Sequence, residues 1–113
     1  MSHDIRSRHK DAARHEIVLA GRLHADAEPA LRAALDEAAS RARVVILDVS
    51  GLESIDATAL QAVVDLVKRV RPRGGEVVLF GVRPTVMRLL ELTSVDRLVA
   101  VLATREDALA TGA

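Results

Sequence analysis

Four histidines stand within the first 24 residues, and three of them, His3, His9 and His15, are six residues apart. Imidazole is the commonest metal ligand, so a metal centre is the first chemistry to weigh. A six-residue step in a charged, unpatterned segment puts the rings on no common helix face, and no H-E-x-x-H pair accompanies them. Solvated histidines are expected. Asp48 and Asp56 suggest an acidic phosphoacceptor pocket. One aspartate ends an apolar run and the other opens a helix, which are ordinary positions, and no third acid or suitably placed lysine completes a magnesium site. Phosphate-binding loops fare no better. Gly74-Gly75 precedes a strand rather than a helix, so its amides are not aimed along a helix dipole, and neither G-x-G-x-x-G nor G-x-S-x-G occurs. Cysteine is absent, which removes thiolate nucleophiles, disulfides and cysteine metal sites. No catalytic residue, metal or cofactor is expected, and the chain reads as a non-enzyme.

One charged cluster remains. Lys68, Arg69, Arg71 and Arg73 invite binding to phosphates or to an acidic partner surface. Cations in a helix's last turn also complement its negative end by about 0.3 to 1 kcal/mol each, which with solubility accounts for them.

The 113 residues are half apolar, enough for one core and one domain. Sixteen basic residues offset sixteen acidic ones, and Phe80 is the sole aromatic. With no net positive charge and no stacking platform, direct nucleic-acid binding is not expected. No apolar run resembles a signal-peptide core or approaches the ~20 residues of a membrane span, so a cytoplasmic chain without membrane insertion is expected.

The elements that must position these residues alternate. Glu16–Ala20 reads as a strand ending at Gly21. A helix follows, capped by Asp26, with Pro29 in its first turn and Leu31, Ala34, Leu35 and Ala38 on one face. Val44–Leu47 is a continuous β-branched run, the pattern of a strand covered on both faces. Asp48–Ile55 reads as a connecting segment. Asp56 opens a second helix with Leu60, Val63, Val64, Val67 and Val70 on one side, ended by Pro72 and Gly74-Gly75. Val77–Phe80 is the next strand, Pro84 begins a helix carrying Val86, Leu89 and Leu90, Leu98–Leu102 is a last strand, and Thr104 caps a closing helix. Strands alternating with helices predict right-handed crossovers and an α/β domain with a largely parallel sheet. Residues 1–15 are polar and read either as a tail or as a weak edge strand carrying Ile5.

Arg43–Leu60 reads R-V-V-I-L-D-V-S-G-L-E-S-I-D-A-T-A-L. Together with Gly21-Arg22-Leu23 before it and Val82–Thr93 after it, this segment resembles the STAS family, the anti-sigma factor antagonists and their relatives. The resemblance covers about residues 16–113. It implies a single STAS-like domain with a four- to five-stranded, mixed but mostly parallel sheet and about four helices. It also implies a protein-binding module whose partner is an anti-sigma factor that doubles as a serine kinase. Family members carry Asp-Ser-Ser/Thr-Gly-Leu where this chain has Asp56-Ala57-Thr58-Ala59-Leu60, and the serine after the aspartate is the usual phosphorylation site. Ala57 has no hydroxyl, so the usual switch is absent or has moved, with Thr58 the obvious substitute and Ser54 a weaker candidate. The family's acidic positions after the first glycine are Arg22 and His24 here, which implies a different or charge-adapted partner.

At about 100° per residue, Thr58, Gln61, Asp65 and Arg69 fall opposite the apolar side of the second helix. Thr58 should face solvent, and Asp56 should cap the helix by accepting from the amide of residue 58 or 59. The expected partner surface is Ser54, Asp56, Ala57, Thr58, Gln61, Asp65 and Arg69. The alternative is a structural subunit of a larger assembly, a stressosome-like scaffold or a lipid-transporter accessory subunit, for which Ala57 speaks. Self-association is compatible with either.

Overall fold

The computed structural model describes residues 3–112. Five strands form one sheet whose spatial order equals the chain order: β1 (His3–Lys10), β2 (Arg14–Leu23), β3 (Val44–Ile55), β4 (Glu76–Phe80) and β5 (Ala100–Leu102). β1 pairs antiparallel with β2, and every later pair is parallel. The helices are α1 (Glu28–Arg41), α2 (Ala57–Val70), α3 (Pro84–Leu92) and α4 (Arg105–Ala110). The expected mixed, mostly parallel α/β sheet with four helices is what forms.

Chain order and chirality together decide where the helices go. The three crossovers all step in the same direction along the sheet, so right-handed connections place α1, α2 and α3 on one face. The main core lies there, where Ile17, Leu19, Val45, Leu47, Val77 and Leu79 meet the helices. The alternate strand positions point to the other face, where Val44, Ile46, Val78 and Phe80 pack against Ala108 of α4. Two-sided burial explains why β3 and β4 read as unbroken apolar runs.

The polar segment that the sequence leaves open between tail and edge strand is paired over His3–Lys10, with a register shift between Ser7 and His9. Several boundaries differ from expectation. β2 runs through Gly21 to Leu23 instead of stopping at the glycine. Asp48–Ile55 is not a connecting segment: β3 continues to Ile55, because Val49, Leu52 and Ile55 are buried while Ser50 and Glu53 face outward, and β2 follows it through two register shifts. Asp26 caps nothing. It lies in a short 3-10 turn, Ala25–Ala27, and α1 starts after Ala27 with no side-chain cap. At the far edge Val95–Arg97 forms another 3-10 turn, so the last strand begins only at Ala100, just after the buried Val99.

α2 shows most directly how sequence positions the site. Asp56 caps it, and Ala59, Leu60, Ala62, Val63, Leu66, Val67 and Val70 are buried, so the helix is pinned along its length while its opposite side stays at the surface. Gly81 ends β4 at φ +74°, and a Cβ there would lie 2.7 Å from that of Ser50, so only glycine lets the chain turn into α3 this close to β3.

Candidate functional site

The site is built where β2 and β3 end. The Asp56 amide donates to the Leu23 carbonyl at 3.1 Å, joining the two strand ends. Its carboxylate uses both oxygens: Oδ1 accepts from the Ala59 amide at 2.9 Å and Oδ2 from the Ala25 amide at 2.8 Å. The first bond is the expected helix cap. The second ties the loop before α1 to the start of α2, so Asp56 organises two connections at once. Ser54 is in β3, not on a loop, and its hydroxyl pairs with His24 Nε2 at 2.9 Å, a second tie between the same segments.

Ala57 and Thr58 occupy the first turn of α2, and both are exposed. Gln61, one turn on, is also exposed and donates to Asp65 Oδ1 at 2.9 Å. The rest of the expected surface is engaged with α1. Asp65 Oδ2 accepts from Arg32 at 3.1 Å, and Arg69 pairs with Asp36. The Gln61 amide, and after it the Arg32 guanidinium, hold the Asp65 carboxyl below its ordinary value. The seven candidates therefore divide. Ser54 and Asp56 brace the turn, Ala57, Thr58 and Gln61 form its open face, and Asp65 and Arg69 lie farther along, in ion pairs between helices.

Sequence reasoning missed the groove beside this face. Ala57, Leu60, Gln61 and Val64 form one wall and Thr93, Val95 and Leu98 the other, enclosing about 320 Å³. Val64, expected in the core, is only half-buried because it lines this groove. Leu98 of the far wall is 37% exposed, and Leu92, which precedes Thr93 in the chain, is 73% exposed. No local signal marks the groove, since its walls are some thirty residues apart in the chain.

Asp48 and Asp56 do not share a pocket. Asp48 is buried and accepts from the Ser50 amide at 3.0 Å, the Ser50 hydroxyl at 2.7 Å and Arg8 at 2.6 Å. Arg8 also reaches Glu16, which is fully buried and receives three contacts of 2.8 to 3.1 Å from Arg105 of α4. Burial pushes the Glu16 carboxyl up, but Arg105 and Arg8 outweigh it and hold it down at about 2. This network ties α4 to β1, β2 and β3. The signal for it was a glutamate at the head of an apolar strand run. Among the described residues no three His, Asp or Glu side chains come together as a metal-ligand group. No helix of the described residues is long and apolar enough to cross a membrane.

In sequence and in fold the chain is similar to known proteins. An anti-sigma-B factor antagonist from Listeria monocytogenes is 28% identical over 102 residues, covering 89% of this chain and 90% of the relative. The crystal structure of an anti-sigma factor antagonist from Mycobacterium paratuberculosis superposes with a TM-score of 0.83 at 19% identity, covering 96% of this chain and 92% of that one. An anti-sigma-factor antagonist (STAS) domain protein from Planctomyces limnophilus gives 0.82 at 23% identity, with 93% and 94% coverage. The STAS domain family profile matches residues 8–108, and the chain belongs to that family.

Proposed function

We propose that this chain is an anti-sigma factor antagonist, a non-catalytic module that grips an anti-sigma factor through the first turn of α2. The observation that carries this reading is the pairing of an exposed, rigidly braced turn with an apolar groove: Ala57, Thr58 and Gln61 stand beside Leu60, Val64 and Leu98. Apolar anchors with a polar rim are what a protein partner needs to gain binding energy by excluding water. Capture of the anti-sigma factor would release its sigma factor.

The partner is an anti-sigma factor with serine kinase activity. Ala57 offers no hydroxyl, so control by phosphate falls to Thr58, whose hydroxyl has no hydrogen-bond partner among the described residues. A phosphate there would sit at the positive end of α2, which tolerates it, while adding up to two negative charges to a surface the partner must desolvate. Binding would weaken with the fold intact. The Ala57 substitution also favours a second reading, a scaffold or transporter-associated subunit that is never switched.

Affinity purification of the tagged chain from its native cytoplasm, with mass spectrometry of partners and of residues 54–58, tests both. Recovery of an anti-sigma kinase, lost in a Thr58→Glu variant, is the expected result. Recovery with a large homologous particle or a transporter, unaffected by Thr58→Glu, refutes the antagonist reading in favour of the second.

A further inference from the structure

We propose that the pole opposite the Asp56 turn, where the parallel strands begin, binds a compact, multiply charged phosphate-type oxyanion. Arg41, Arg43 and Arg73 line a cleft of about 260 Å³ with Ser40 and Gly75, and no carboxylate lines it. A second cleft of about 400 Å³ shares Ala12, Arg41 and Ala42 with the first and adds Lys10 and Arg14, which are already engaged, Lys10 with Glu37 at 3.5 Å and Arg14 with the Thr111 carbonyl at 3.0 Å and Asp11 at 3.6 Å. The acid there, Asp11, already accepts from the Ala13 and Arg14 amides, both at 2.8 Å, and pairs with His9 at 2.9 Å.

Arg73 caps the end of α1, and Arg41 lies in the last turn of that helix, but the terminal carbonyls take their hydrogen bonds from other groups. At the end of α2, the Val67 carbonyl takes the Arg71 amide and the Val70 carbonyl takes the Gly75 amide. At the end of α1, the Ala38 carbonyl takes the Ala42 amide and the Ala39 carbonyl takes the Arg73 guanidinium. Arg41 and Arg43 have neither a hydrogen bond from their side chains nor an ion pair among the described residues, although both are exposed. Two uncommitted guanidinium forks thus flank a third that is fixed in place.

The cleft floor is preorganised. The Arg43 and Val44 amides both donate to the Ala13 carbonyl, at 3.1 and 2.9 Å, and the Glu76 amide donates to the Arg43 carbonyl at 3.0 Å. Gly75 crosses so close that a Cβ would lie 2.3 Å from the Arg43 carbonyl oxygen. Guanidinium forks match oxyanions bidentately, and several together match more than one charge. The first cleft is smaller than the roughly 300 Å³ at which drug-sized pockets begin, and it has no aromatic lining. With no Phe, Trp or Tyr lining either cleft, recognition rests on the charged phosphate groups.

The test is an amide-resolved NMR titration of the full chain with pyrophosphate at constant ionic strength, using chloride as the control. Saturable shifts are expected at Ala12, Arg41–Val44 and Arg73–Gly75, and an Arg41→Gln/Arg43→Gln variant should lose at least about tenfold in affinity with an unchanged Tm. Sedimentation with phosphoinositide vesicles separates the sources. Co-sedimentation released by pyrophosphate assigns a lipid headgroup, and pyrophosphate binding without it assigns a free anion. Equal shifts with chloride, or an unchanged affinity in the double variant, would overturn the proposal. Because the cleft is remote from Thr58, neither result bears on capture of the anti-sigma factor.

Discussion

Replacing Asp56 separates its two hydrogen bonds. An Asp56→Ala variant loses the cap on Ala59 and the bond to Ala25 together. Loss of an N-cap costs about 0.5 to 2 kcal/mol, and a further charge-assisted bond at a partly exposed site adds about 1 kcal/mol, so a total of about 1.5 to 3 kcal/mol is expected. Asp56→Asn is the sharper probe. Asparagine caps as well as aspartate, but its amide nitrogen would face the Ala25 N–H, donor against donor. It should therefore cost about 1 kcal/mol, with the loss confined to the loop before α1. Urea unfolding at neutral pH measures the totals, and hydrogen exchange at Ala25 and Ala59 places them. Faster exchange at Ala25 alone is expected for Asp56→Asn, and at both amides for Asp56→Ala. If Asp56→Asn matches the parent in stability and in Ala25 exchange, the two-loop role of Asp56 is wrong.

Acid should weaken the fold through Glu16. Its folded-state value of about 2 lies below the ordinary 4.5, so its stabilisation is complete above about 4.5 and lost as pH falls toward 2. The shift corresponds to roughly 3 kcal/mol, and the gap in urea stability between the parent and Glu16→Gln should close across that window; a constant gap contradicts the pairing with Arg8 and Arg105. Gly81→Ala combines φ +74° with a Cβ 2.7 Å from that of Ser50 and should lower stability by about 1 to 3 kcal/mol in urea melts. Leu98→Asp, at a side chain 37% exposed, should leave Tm within a few degrees and weaken anti-sigma factor binding at least about tenfold by calorimetry. Unchanged binding removes the groove from the interface.

Much of this was legible in the chain. Val44–Leu47 and Val77–Phe80 announce themselves because burial on both faces demands uninterrupted apolar residues. The outward Ser50 and Glu53, with Gly51 between them, hide the second half of β3 by imitating a turn. Asp26 ahead of Pro29 imitates a helix start, and only the intervening 3-10 turn shows that the cap position belongs to Ala27. At the site, helical periodicity was enough to place Thr58 and Gln61 at the surface. It could not show that Asp65 and Arg69 are taken by Arg32 and Asp36, because a pairing between helices depends on the crossing of α1 over α2. Arg8, Glu16 and Arg105 were hidden for the same reason, Glu16 and Arg105 being 89 residues apart.

The agreement of spatial and chain order among the strands has a consequence for assembly of the fold. Each strand docks beside the one made just before it, so the sheet can grow outward in the order of synthesis with short loop closures. Arg105 reaches Glu16 only after all five strands are made, when α4 packs back across the sheet. Until that contact forms, a nascent chain would carry a nearly complete sheet with one side unroofed and Glu16 held by Arg8 alone.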